Sequence, residues 1–340
     1  MKELTVRSLG TRFFAVGLII LLMIGFAGHL SLAEAQPQTY PRKPITIVNP
    51  WGPTAITEIF TRAVEPQLSK LFGVPVDIVS KPGGSGIVGS HSVMSAPNDG
   101  YTVLADNPGT SSMYLGWDVK LPYKEEEKTY MARAAVVKQV IVVPTSKPWK
   151  TLGDMEQAIR KDPASFCWPT AGATYVELTF GQFRAALAQR GVDVSKTKLV
   201  PIQSGTEALK MMASGDVHIY SCSLPMAASL VSAGKLRVIA VNSPKRCKFY
   251  PEVPTTVEQG FPNMISEYWI GYTGPPRLPK NVVQKWIDVV KALVDDPENA
   301  KVFDKVTVEP AFLAGEDFRK FVMDEAKEIK SVKVIKPTQQ

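Results

Sequence analysis

Cysteine and histidine are almost missing from this sequence, with three of each in 340 residues. Cys167, Cys222 and Cys247 form no CxxC pair, and their odd number leaves at least one thiol unpaired even in an oxidising compartment. His29 sits in an N-terminal apolar stretch, so His91 and His218 are the imidazoles left to the rest of the chain. They have too few soft partners nearby for zinc, so neither a metal site nor a cofactor is expected. The same scarcity argues against catalysis, because two imidazoles are little acid and base for a whole chain and no GxSxG elbow is present. Also lacking is an aromatic-studded basic stripe: the densest cationic knot, Lys245-Arg246-Cys247-Lys248, has no stacking partners. A nucleic-acid groove is therefore excluded, and that knot reads as a solvated surface.

What is present begins at the N-terminus. Lys2, Arg7 and Arg12 precede an apolar run from Phe13 to Leu30, followed by the small residues Ala33 and Ala35 around Glu34. This order is that of a bacterial export signal, with cleavage expected after Ala35. The run approaches the roughly 20 apolar residues that span a bilayer, but Gly25, Gly28 and His29 weaken its distal end. No cysteine follows the cleavage point to carry a lipid, so a free periplasmic monomer is expected. The formal net charge of +7 stays largely with the mature part, where it favours small anions or an anionic membrane face.

About three hundred residues after the leader call for two lobes rather than one. Ile45–Asn49 is a β-branched run, and a helical face follows at Ile56, Phe60, Ala63, Val64, Leu68 and Leu71. Val76–Val79 and Thr102–Ala105 read as strands, separated by a glycine loop opening a short helix and by the turn Pro97-Asn98-Asp99-Gly100. Strands alternating with helices predict an α/β fold with mixed, mainly parallel sheets. Ligands then lie beyond the carboxyl ends of the strands, which points to the loops Pro50–Thr57, Lys81–Gly86 and Asn107–Ser112. Further strands are expected at Val140–Val143, Lys198–Pro201, Val217–Tyr220, Leu236–Val241 and Tyr268–Tyr272, a capped helix start at Thr151 to Asp154, and two closing amphipathic helices. The lobes are expected to comprise 36–138 plus 272–340, and 139–271.

Gly84-Ser85-Gly86-Ile87-Val88-Gly89 matches GxGxxG, follows a strand, and has Asp106 about twenty residues on. Against a dinucleotide stand three features. Lys81-Pro82-Gly83 moves the glycines away from the strand end, the following helix is short, and the chain carries an export signal. An anion facing the loop amides needs no nucleotide.

These loops resemble those of the tripartite tricarboxylate transporter substrate-binding proteins, the Bug family. The resemblance runs from Tyr40 to about Gly315 and is carried by Tyr40-Pro41-Arg42-Lys43-Pro44-Ile45, Lys81-Pro82-Gly83-Gly84-Ser85-Gly86 and Pro97-Asn98-Asp99-Gly100-Tyr101-Thr102. Ala233-Gly234-Lys235-Leu236-Arg237, Pro251-Glu252-Val253-Pro254-Thr255-Thr256 and Trp269-Ile270-Gly271-Tyr272 continue it. It implies a two-lobed Venus flytrap of the type II periplasmic binding fold that delivers an organic carboxylate to integral membrane permease subunits. The first loop departs from the family's Pro-Phe-x-Pro-Gly-Gly-x-x-Asp, reading Pro50-Trp51-Gly52-Pro53-Thr54-Ala55-Ile56-Thr57-Glu58. Where the family often has an acid after a second-lobe strand, this chain has Cys222, which makes the cleft friendlier to an anion.

The resulting candidate ligand set is Trp51, Thr54, Ala55, Thr57, Thr110 and Ser111 from the first lobe and Ala173, Thr174, Ser204, Gly205, Thr206 and Cys222 from the second. Each Ser or Thr serves equally as a helix cap, for which these residues are preferred. As a set on facing loops they favour an anion. Trp51, with Trp168 and Tyr175 beside the second-lobe loop, predicts a carboxylate with an apolar or aromatic body rather than a small multiply charged one. Two other readings stay open: an exported ligand-sensing adaptor of the same fold, and, on the glycine loop alone, an NAD-dependent oxidoreductase.

Overall fold

The computed structural model describes residues 40–53, 55–170, 175–202 and 204–332. The expected export leader and its expected cleavage point, with Thr54, Ala173 and Thr174, lie outside the described residues.

The chain opens with β1 (Ile45–Asn49), α1 (Ile56–Phe72), β2 (Val76–Ser80), α2 (Ile87–Met94), β3 (Thr102–Asp106) and the short α3 (Ser112–Gly116). β1 lies between β2 and β3 and runs parallel to both, as the alternation of strand and helix requires. β4 (Thr129–Pro144) is far longer than the Val140–Val143 expected from its β-branched end. Its first half is rich in alanine, which has little strand preference of its own, and burial between two neighbours decides the conformation.

The middle of the chain holds α4 (Leu152–Lys161), β5 (Cys167–Thr170), α5 (Tyr175–Gln189), β6 (Lys198–Pro201), α6 (Gly205–Ser214), β7 (Tyr220–Ser223), α7 (Leu224–Ser232) and β8 (Leu236–Val241). The expected box at the start of α4 is formed, with Thr151 and Asp154 capping one another's backbone N–H. β7 starts where the expected strand Val217–Tyr220 ends, the preceding residues serving as a buried lead-in. The chain closes with β9 (Glu267–Gly274), α8 (Lys280–Asp295), α9 (Pro297–Lys305), β10 (Glu309–Ala314) and α10 (Gly315–Ser331).

One strand joins the two halves. The first part of β4 pairs antiparallel with β9 and β10, extending the β1–β3 sheet in the order β10-β4-β9-β3-β1-β2. From Gln139 onward the same strand pairs with β7 and then β8. The second half has its own core, in which Trp168 is fully buried against Phe166, Phe180 and Phe183 at ring distances of 4.7, 5.8 and 5.7 Å. Trp168 is thus packing, not a ligand-facing aromatic. The first half is closed by α1, α8 and α9, where Phe60 meets Phe303 at 5.3 Å and Phe72 meets Trp286 at 4.7 Å. All three cysteines are free thiols.

Candidate functional site

A cavity of about 280 Å³ opens where the carboxyl ends of β1 and β3 face the carboxyl end of β7. Strand ends in an α/β sheet deliver loops and helix N-termini to such a position. One wall is made by Trp51, Ala55 and Ile56 after β1, Ser85 in the glycine loop, and Asn107, Gly109 and Met113 after β3. The facing wall is Tyr175 and Val176 at the start of α5 with Tyr220–Ser223 and Met226. Gln139, on the strand that joins the halves, and Tyr268, near the start of β9 beside it, complete the lining. A larger hollow of about 800 Å³ is bounded by the outer side of α5, residues 262–265 and the end of α10, away from these loops.

Three helices begin on the cavity wall: α1 at Ala55–Ile56, α5 at Tyr175 and α7 at Ser223. Neither Ala55 nor Ser223 caps its helix with a side chain, so first-turn N–H groups are left for another acceptor. Helix N-termini carry partial positive charge and favour an anion without a full counter-ion. Among the described residues the lining contains no Asp, Glu, Lys, Arg or His. Loss of solvent raises the phenols of Tyr220 and Tyr268 well above their ordinary range and pushes the Cys222 thiol up to about 12. At neutral pH every one of them is a neutral donor.

Trp51 is held from two sides. Its backbone N–H donates to Asn49 Oδ1 at 3.2 Å. Asn49 donates in turn to the buried carboxylate of Glu58, which also takes Arg62 Nε at 2.6 Å and Ser80 Oγ at 2.9 Å. The indole lies against glycine backbone: a Cβ at Gly109 would sit 3.0 Å from Trp51 Cζ2, and one at Gly86 3.3 Å from it and 2.6 Å from Thr110 Cγ2. Gly86 also has φ +96°, a conformation that disfavours any side chain. A Cβ at Gly89 would strike Pro50 Cα at 2.7 Å. Gly86 and Gly89 of the GxGxxG pattern therefore have a structural use, which is to let the Pro50–Trp51 turn and α2 pack closely. Ser85 is pinned by Tyr114, whose hydroxyl donates to its carbonyl at 2.8 Å.

Immediately behind Asn107 lies a closed ionic cluster. Asp106 accepts from Asn107 N, Thr110 Oγ1, Ser111 Oγ, Lys128 Nζ and Thr273 Oγ1 at 2.6–3.1 Å. Lys128, 3 % exposed, is shared with Glu125 at 2.5 Å. Burial pushes the Glu125 carboxyl up to about 7 against the opposing pull of Lys128.

Of the expected ligand residues, Trp51, Ala55 and Cys222 are brought together on the cavity. Thr57 is one step behind, its hydroxyl 3.0 Å from that of Tyr268. Thr110 and Ser111 are fully buried and turn their hydroxyls to Asp106. Ser204 is the exposed cap of α6, accepting from Glu207 N at 3.2 Å, and Thr206 is exposed on its first turn. Gly205 touches the site at second hand, since a Cβ there would lie 2.9 Å from both Tyr220 Oη and Met226 Sδ. Sequence reasoning missed Asn107, although it opens one of the predicted loops, because hydroxyl residues were favoured as donors. Tyr220, Tyr268 and Met226 gave no local signal; long-range pairing brings them in.

Two lobes joined through the long strand β4, with a neutral cavity ringed by helix N-termini between them, define a solute-binding protein of the periplasmic type. The chain belongs to the tripartite tricarboxylate transporter family receptors, whose family model matches residues 60–338. Among curated relatives, it is 26% identical to the UPF0065 protein in the gbd 5' region of Cupriavidus necator, over 88% of this chain and 89% of that one. It is 23% identical to BugT of Bordetella pertussis, over 93% and 94%. Among solved structures, a periplasmic transporter superposes with a TM-score of 0.74 at 25% identity, covering 87% of this chain and all of the other. R. palustris Rpa4515 with adipate (TM-score 0.74, 24% identity, 86% and 97% covered) and MatC of Rhodopseudomonas palustris with bound malate (0.72, 20%, 86% and 99%) share the fold.

Proposed function

We infer that this protein captures an organic carboxylate with an apolar or aromatic body between its lobes and presents it to the integral subunits of a tripartite tricarboxylate-type permease. The observation that carries the reading is the neutral cavity on which α1, α5 and α7 begin, since helix N-termini can hold a carboxylate where no cation is at hand. The adipate and malate held by proteins of the same fold support an organic carboxylate, and both being dicarboxylates they lend nothing to the apolar or aromatic body. Membership of a family of transport receptors supports the permease as partner. In this reading the leader is removed after Ala35 and the mature monomer works in the periplasm. The lobes, 36–138 plus 272–340 and 139–271, close on the ligand by bending β4 and β9. Trp51, Ala55 and Cys222 touch the ligand directly, and Thr54, Ala173 and Thr174 add donors from the adjoining loops. Thr57, Thr110, Ser111, Ser204, Gly205 and Thr206 act by holding the walls.

A thermal-shift screen against aliphatic, aromatic and multiply charged carboxylates, with NAD as a further arm, tests this. Stabilisation by a carboxylate and none by NAD is expected. A shift with NAD alone would replace this reading by that of a nicotinamide-dependent enzyme.

A further inference from the structure

Two buried N–H groups on the first-lobe wall have no acceptor among the described residues: Trp51 Nε1 and Asn107 Nδ2. Asn107 is completely buried, and its Oδ1 is spent on Gly109 N at 3.0 Å. The two side chains are neighbours, because the Cβ position of Gly109 is 3.0 Å from Trp51 Cζ2 and 3.1 Å from Asn107 Oδ1. Buried donors are nearly always paired, so two that are not, side by side on a cavity, mark the place of an acceptor from outside the chain.

We propose that Trp51 Nε1 and Asn107 Nδ2 receive the one carboxylate of an organic monocarboxylate, and that the rest of the cavity takes only an uncharged body. This rests on the carboxylate reading above and narrows it. Both groups are donors only, so they select an acceptor. The remainder of the wall is Ala55, Ile56, Met113, Val176 and Met226 with neutral hydroxyl, thiol and amide groups.

A second carboxylate would find no cation on the described lining, and three cations of the surrounding scaffold are engaged. Lys128 is held by Asp106 and Glu125, Lys138 by Glu267 and Ser243, and Arg62 by Glu58. Thr54 and residues 171–174, next in sequence to lining residues, add no ionisable group. The unpaired N–H pair serves one carboxylate, and a second ionised group taken from water would find neither a cation nor a second such N–H pair among the described lining residues.

Calorimetric titration at pH 7.5 with matched pairs tests this: hexanoate against adipate, and benzoate against terephthalate. In wild-type protein the preferred monocarboxylate is expected to bind at least about tenfold more tightly than its two-headed partner. Asn107→Asp keeps the acceptor for Gly109 N but removes the donor, and a loss of at least about tenfold for that monocarboxylate is expected. Trp51→Phe removes the indole N–H while keeping a ring, and stands in if the aspartate beside Asp106 prevents folding. A several-fold loss is expected there, with melting temperature retained. Adipate and terephthalate binding as tightly as their partners would overturn the single-headed ligand. Unchanged affinity in the folded variants would overturn the role of the two donors. Failure of every carboxylate to bind wild-type protein would remove both this proposal and the carboxylate reading.

Discussion

Asp106 and Asn107 are consecutive, both fully buried, and opposite in what surrounds them. Asp106 takes five donors and shares Lys128 with Glu125, whereas Asn107 keeps an N–H for which the described residues offer no acceptor. The difference marks where scaffold ends and site begins. Within the scaffold an unpaired polar group is pure cost, and around Asp106 the chain spends its donors on that carboxylate. At the site the same cost is what a ligand can relieve. Changes on the Asp106 side should be read in stability, and changes on the Asn107 side in affinity.

The largest expected effect is on the scaffold side. Asp106→Ala takes the shared acceptor from the buried hydroxyls of Thr110, Ser111 and Thr273 and leaves Lys128 with Glu125 as its one carboxylate partner, and urea unfolding should report a loss of about 3–5 kcal/mol. A loss under about 1 kcal/mol would mean that the cluster is solvated.

Glu125 gives the pH dependence of that cluster. Its carboxyl is raised from 4.5 to about 7 in the folded protein, so between those values the folded state binds more protons than the unfolded one. Its contribution is fully present below about 4.5 and is lost as pH rises through about 7, an effect of roughly 3 kcal/mol. Relative to Glu125→Gln, wild-type protein should lose stability between pH 5 and pH 8. A difference that stays flat across that range would show an unperturbed carboxyl.

On the site side, Trp51→Ala should weaken binding of an aromatic or long-chain carboxylate at least tenfold, about 1.4 kcal/mol. Its melting temperature should change far less than that of Asp106→Ala, since Trp51 is only partly buried. Equal losses of stability in the two variants would erase the contrast. The smallest effect belongs to Ser204→Ala. Loss of the exposed α6 cap should cost about 1 kcal/mol or less of stability and leave ligand affinity unchanged. A clear fall in affinity would return Ser204 to the cleft.

Much of the fold was legible because its strands are short β-branched runs with turn signals at their ends. β1, β6 and β8 have the bounds the sequence suggests, and β2 and β3 run one residue further. β7 was misplaced because Tyr220-Ser221-Cys222-Ser223 lacks that pattern and is a strand through its pairing with β4. β10 escaped notice because Pro310 interrupts it, and its pairing with β4 shifts register after that residue. In the site, Trp51 was legible from an indole beside prolines at a strand end, and Cys222 from the family comparison. Hydroxyls at Thr110, Ser111 and Ser204 were read as donors to a ligand, but caps and buried anions compete for the same hydroxyls. Only a three-dimensional count of partners tells a spent donor from a free one.

The most direct test is a crystal structure of the protein with the monocarboxylate that calorimetry ranks first. A carboxylate oxygen within about 3.2 Å of both Trp51 Nε1 and Asn107 Nδ2, with the ligand body against Met113, Val176 and Met226, is the predicted result. Ligand bound in the hollow between α5 and α10, or in the cavity with those two N–H groups still unpaired, would contradict it.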